Sequence, residues 1–204
     1  MSYVITCGDE GVQVNEGTRL GFAGSGFRIE GFSEIITALK SLLGPDIRIA
    51  ASEECDWMKQ QLELSNWEQV TASTQQHIEA LADREKLLYS GFVPFTDPKQ
   101  LAHEIKAHMV RPRGVHIANK ICFTLAGGEQ TFNLGCFVIS AEWLHLVDYK
   151  LAQSVIKSQV EFYKSLVSGT DLKIVFESEG VLGSDVAAKN AAILKKMGFE
   201  SSEK

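Results

Sequence analysis

Apolar and polar positions change period several times along the chain, and each change marks an expected element. Near the start, "YVITC" and "VQVN" are short β-prone runs separated by the turn-forming "GDEG". "TRLGF" and "FRIEGF" flank Gly24-Ser25-Gly26, and two such runs joined by a small-residue turn read as a β-hairpin. The period then lengthens. In "SEIITALKSLLG" the apolar residues fall at 35, 36, 39, 42 and 43, one face of a helix, with Ser33 as the expected N-cap and Gly44-Pro45 as the stop. "DIRIAAS" reads as another strand, after which Ser52 is expected to cap a helix carrying Glu53 and Glu54 in its first turn. From Cys55 to about Tyr89 the chain reads as largely helical and polar. "TDPKQLAHEIKAHMV" repeats the start signal, with Asp97 as cap and Pro98 at the first helical position, and "RPRG" then breaks it.

Residues 115 to 139 change character. "VHIANKICFTLAGG" and "TFNLGCFVIS" are β-rich runs joined by "AGGEQ", which reads as a hairpin between them. In the second run Phe132, Leu134, Cys136 and Val138 alternate with Asn133, Gly135, Phe137 and Ile139. The run is apolar on nearly both faces, as expected of a central strand. A long helix is expected over about 141–167, followed by the strand "LKIVFES", the loop "EGVLGSD" and a closing helix that stops at Gly198-Phe199. The order β-β-α-β-α predicts an α/β (α+β) fold with a mixed, partly antiparallel sheet flanked by helices. The division expected is an N-terminal hairpin and helical region at 1–110 and a mixed half at 111–204, unless the two form one continuous domain.

Composition narrows the class without choosing an activity. The chain has 204 residues, 45% of them apolar and 23% charged, enough for a sizeable core. A net charge of −6 argues against a surface built for nucleic acid, which needs clustered Lys and Arg. No apolar stretch approaches the ~18 residues of a membrane span, and "MSYVITCGDE" has neither the basic nor the apolar region of a secretory signal. A cytoplasmic protein with no membrane partner is expected. Cys7, Cys55, Cys122 and Cys136 form no CxxC pair and no zinc spacing, so they read as free thiols in a reducing compartment.

Candidate chemistry is sparse. His103 and His108 lie five apart on one expected helix, about 140° around its axis, poorer than the i, i+4 spacing of metal pairs, so no metal site is expected. His116 and Cys122, on one continuous strand, would stand about 20 Å apart, too far for a base and its nucleophile. Cys136 reads as a core thiol. Glu177 and Glu179 follow an apolar strand, where strand ends border clefts in α/β sheets. Glu177 is the candidate base, because partial burial behind that run would raise its pKa toward neutrality.

The last ninety residues resemble the C-terminal half of GNAT-type N-acyltransferases. The resemblance rests on the central strand "FNLGCFVIS", the long helix after it, the strand "LKIVFES", and the closing helix "AAKNAAILKKMGF" with its Gly-Phe exit. It implies that the strands at 132–139 and 172–178 are parallel neighbours that splay apart. The cleft between them would hold a ligand arm against Phe137, Ile139 and Ser140, with Glu177 or Glu179 as catalytic base. It also implies an acyl-CoA donor and a small-molecule or protein amine as acceptor. Two features depart from that family. Its glycine-rich pyrophosphate loop is replaced by "SAEWLHLVDYK", with no glycine between Gly135 and Gly169 and with Glu142 and Asp148 at an anion cradle. The tyrosine that serves as acid, four residues before the last glycine, is Leu194 here. Acyl-CoA binding is therefore expected to be weak. The readings left open are a diverged acyltransferase, a silent GNAT-like binding or assembly protein of the kind some tailed phages encode, and an unrelated α+β protein.

Overall fold

β-Branched and apolar residues fill β1 (Tyr3–Cys7), and the strand is buried along its whole length. It occupies the kind of place such a run requires, inside a parallel sheet covered on both faces. β2 (Thr18–Phe22) and β3 (Ile47–Ser52) pair with it in parallel on either side, and β4 (Leu88–Val93) adds in parallel outside β3. The order is β2-β1-β3-β4. The computed structural model describes residues 2–8, 18–94, 114–118, 121–126, 136–166, 171–177 and 184–202. For 114–118, 121–126, 136–138, 171–177, 184 and 200–202 the description is of the backbone.

The second sheet is mixed. β5 (Gly114–Ala118), β6 (Ile121–Ala126), β7 (Cys136–Ser140), β8 (Asp171–Glu177) and β9 (Glu200–Ser202) take the order β7-β5-β6-β8-β9. β7 runs parallel to β5, β6 runs antiparallel to both β5 and β8, and β9 runs parallel to β8. β2 lies alongside β7, with Cα atoms within 8 Å, so the free edges of the two sheets meet.

Five helices are described: α1 (Phe32–Leu43), α2 (Asp56–Gln61), α3 (Trp67–Glu85), α4 (Tyr149–Leu166) and α5 (Ser184–Lys196). The expected α/β class is what the chain adopts. α1 buries Ile35, Ile36 and Leu39, as its period predicts, and ends at Gly44, whose φ of 90° takes the left-handed turn that stops it. Its N-cap is Gly31 (φ 61°) and not Ser33, whose Oγ instead donates 2.7 Å to Glu85 Oε1 on α3. The closing helix ends as read. Gly198 (φ 94°) reverses the chain, and Phe199 N–H returns 3.0 Å to Leu194 O with the Phe199 side chain buried.

Several expectations are overturned. The N-terminal hairpin is absent, because Thr18–Phe22 pairs in parallel with β1 and the Gly24-Ser25-Gly26 turn leads into α1, not into a second strand. "VQVN" and the helix expected after Asp97 lie outside the described residues. Leu88–Val93 is a strand, where helical chain is expected to about Tyr89. The C-terminal hairpin lies inside the first β-rich run, between β5 and β6, and not across "AGGEQ". His116 and Cys122 are consequently opposite one another in that hairpin. The antiparallel pairing of β5 and β6 removes the distance expected of a continuous strand. The long helix begins at Tyr149, eight residues later than expected, where the Asp148 carboxylate accepts 2.8 Å from Lys150 N–H and caps the first turn.

One hydrophobic core runs across residue 110. Phe22 of β2 stacks on Trp143 (centroids 6.5 Å apart), and Trp57 of α2 meets Phe162 of α4 edge to face at 4.8 Å. Ala23 N–H donates 2.8 Å to Gln159 Oε1, a fully buried amide on α4. The exit from β7 and the C-terminal half of α4 are thus anchored to the N-terminal part of the chain.

Candidate functional site at the end of β7

β7 delivers an apolar run into the core, and the chain must then leave it. Ile139, Ala141, Trp143 and Leu144 are all fully buried. The exit is a tight turn, in which Trp143 Nε1–H donates 2.9 Å to Ser140 O and Leu146 N–H donates 2.9 Å to Trp143 O. Apolar residues on both sides carry the polar residues between them into the interior. Ser140 is fully buried and Glu142 is 7% exposed.

That burial decides the chemistry. Desolvation pushes the Glu142 carboxyl from 4.5 up to about 7, against hydrogen bonds from Ser140 and from the backbone of Glu142 and Ala141 that favour the anion. Ser140 Oγ–H donates to Glu142 Oε2. A carboxyl so placed carries a proton below neutrality and an anion above it.

Asn190 of α5 ties this turn to the last helix. It is fully buried, and its amide lies between groups of fixed role. Nδ2–H donates 3.2 Å to Glu142 O, and Oδ1 accepts 3.2 Å from His145 N–H. Oδ1 also lies 2.9 Å from His145 Nδ1. An amide oxygen only accepts, so Nδ1 carries the proton in this contact, and in the neutral ring Nε2 is the basic nitrogen. The half-exposed His145 ring thus has its tautomer set by Asn190, whose amide also holds the Glu142 backbone carbonyl.

The expected site residues are only partly brought together. Ser140 belongs to the cluster, and Ile139 is packed in the core immediately before it. Phe137 of β7 stands opposite Val115 of β5. Glu177 ends β8, opposite Ser202 of β9, and Glu179 lies outside the described residues. β7 and β8 run in the same direction but are not neighbours, because β5 and β6 stand between them. Three inter-strand steps of about 4.8 Å put Ser140 and Glu177 roughly 14 Å apart along one edge of the sheet. A cleft between adjacent splayed strands 136–140 and 171–177 is therefore not formed. The β5–β6 hairpin occupies that position.

Glu142, His145 and Asn190 were not singled out as site residues by sequence. The available signal was a carboxylate set between Ala141 and Trp143 directly after an apolar strand, a place where burial is forced by the neighbours. A separate open groove of about 500 Å³ lies between α2 and the C-terminal end of α4, lined by Asp56, Lys59, Glu63 and Phe162 among others. Burial raises the Asp56 pKa there, while Lys59 pulls it down.

No family model matches the chain, and neither a curated protein nor a solved structure matches it. Among the described residues no three His, Cys, Asp or Glu side chains gather as metal ligands, and no helix is long and apolar enough to cross a membrane.

Proposed function

We propose that the protein is a group-transfer enzyme whose proton carrier is Glu142, with transfer of an acyl group to an amine as the reaction class. The carrying observation is the buried carboxyl of Glu142, held by Ser140 at the carboxyl end of β7 and brought by its surroundings to a pKa of about 7. A group with that pKa can accept the proton that an amine must lose when it attacks an acyl carbon, and can release it afterwards. Glu142 takes the role first considered for Glu177. His145, with Nε2 as its basic nitrogen, is the second proton acceptor of the cluster. The acyl donor is one that needs no glycine-rich pyrophosphate loop, so ordinary acetyl-CoA is expected to bind weakly.

The test is acylation of an amine panel by several acyl donors, read by mass spectrometry, with wild type and Glu142→Gln compared from pH 5.5 to 8.5. The wild-type rate is expected to rise with pH as Glu142 ionises and to level off above about pH 7. Glu142→Gln should lose roughly 10²–10⁴-fold. Equal rates in the two proteins would overturn the role of Glu142. Calorimetric titration with acetyl-CoA should give no dissociation constant in the low-micromolar range.

A second reading, a binding or assembly protein without chemistry, is favoured by a different observation. Ser140, Glu142 and Asn190 satisfy one another inside the fold, as a purely structural polar cluster would. Absence of product with every donor and amine would select it.

A further inference from the structure

Cys7 closes β1 and Cys55 stands directly before α2, 48 positions later, yet their sulfurs lie 3.0 Å apart with both side chains fully buried. The register explains the meeting. β1 and β3 are parallel neighbours with Ile5 opposite Ile49, so both strands reach the same edge of the sheet. The chain then turns through Glu54, whose φ of 49° is left-handed, and folds Cys55 back over the end of β1. The turn after β2 closes the site from the other side, where Gly24 N–H donates 3.3 Å to Cys7 Sγ. Each sulfur is held by a different element, and approach by about 1 Å would bring them to bonding distance.

We propose that Cys7 and Cys55 are a redox couple, oxidised by a peroxide to an intramolecular disulfide that ties β1 to the start of α2. One thiol loses its proton and attacks an oxygen of hydrogen peroxide as the thiolate; the O–O bond breaks, and the departing hydroxide takes up that proton as water, leaving a sulfenic acid. The second thiol attacks that sulfur, the S–O bond breaks, and a second water leaves as the S–S bond forms. Two thiols and one peroxide yield one disulfide and two waters. Because both sulfurs are enclosed, the oxidant reaches them through local opening of the edge, so the reaction is slow in the native state. None of the groups around Glu142 takes part in this oxidation, which is independent of the proposed activity.

The experiment treats the full chain with hydrogen peroxide, alkylates the remaining thiols and maps tryptic peptides without reduction. Cys7 falls in peptide 1–19 and Cys55 in peptide 49–59, so the predicted link joins two defined fragments. The expected result is loss of two free thiols per chain, that one linked pair, and a melting temperature raised by roughly 5–15 °C and restored by dithiothreitol. A Cys122→Ser/Cys136→Ser variant should behave the same, and Cys55→Ser should show neither the link nor the rise. Retention of all four thiols, a link through Cys122 or Cys136 in its place, or a link that lowers the melting temperature would each overturn the proposal.

Discussion

Replacing Glu142 by Gln separates the effect of burying a carboxyl from the effect of filling its place. A carboxyl moved from 4.5 in the unfolded chain to about 7 in the fold corresponds, at about 1.4 kcal/mol per pH unit, to about 3 kcal/mol. The direction follows from proton counting. Between pH 4.5 and 7 the folded chain keeps a proton that the unfolded chain has lost, so the stability gained from the neutral acid is complete below about pH 4.5 and gone above about pH 7. Gln keeps an oxygen that accepts from Ser140 Oγ–H but does not titrate. Wild type should therefore lose about 3 kcal/mol relative to Glu142→Gln between pH 4.5 and 8, equal to roughly 6–12 °C in melting temperature for a chain of this size. Urea unfolding of both proteins at half-unit pH steps measures it. The remaining ionisable groups are common to the two proteins and cancel in the difference, and any constant cost of the amide nitrogen shifts the curve without tilting it. A difference that is flat with pH, or that favours wild type as pH rises, would refute the argument that desolvation governs this group.

Gly24→Ala should cost at least about 2 kcal/mol, read by urea denaturation, because the position has φ +54° and a Cβ there would come 2.3 Å from Trp57 Cδ1. Trp57 cannot simply swing away, since its Nε1–H donates 2.8 Å to Phe27 O. Gln159→Ala removes the acceptor for Ala23 N–H and should destabilise by about 1–3 kcal/mol, the range for a buried donor left unpaired; a loss under 0.5 kcal/mol would mean that water or another group replaces it. Asn190→Ala strips partners from both Glu142 O and His145 N–H and should cost a similar amount, with a chemical-shift change at the His145 ring that a merely distant cavity would not produce.

Local physics was legible along the chain. The burial of Ile35, Ile36 and Leu39 on α1 follows from a 3.6-residue period. The stops at Gly44 and Gly198 follow from the ease with which glycine turns left-handed. β1, β3, β8 and the α/β class were all readable from runs of β-branched and apolar residues. A period, however, names the face an element buries and not the neighbour it pairs with. Thr18–Phe22 is equally good as a hairpin arm or as a parallel partner of β1, and non-local backbone pairing chose the second. The β5–β6 hairpin, inserted between β7 and β8, separated Ser140 from Glu177 by two strands while setting His116 opposite Cys122. The chemistry was least legible because it depends on surroundings. Glu142 reads in sequence as a charge out of place at an anion cradle, and only its burial in the tertiary fold removes the water that would keep its pKa low. Cys7 and Cys55 read in the sequence as two separate thiols 48 positions apart, and they meet because parallel strands bring their carboxyl ends to one edge of the sheet.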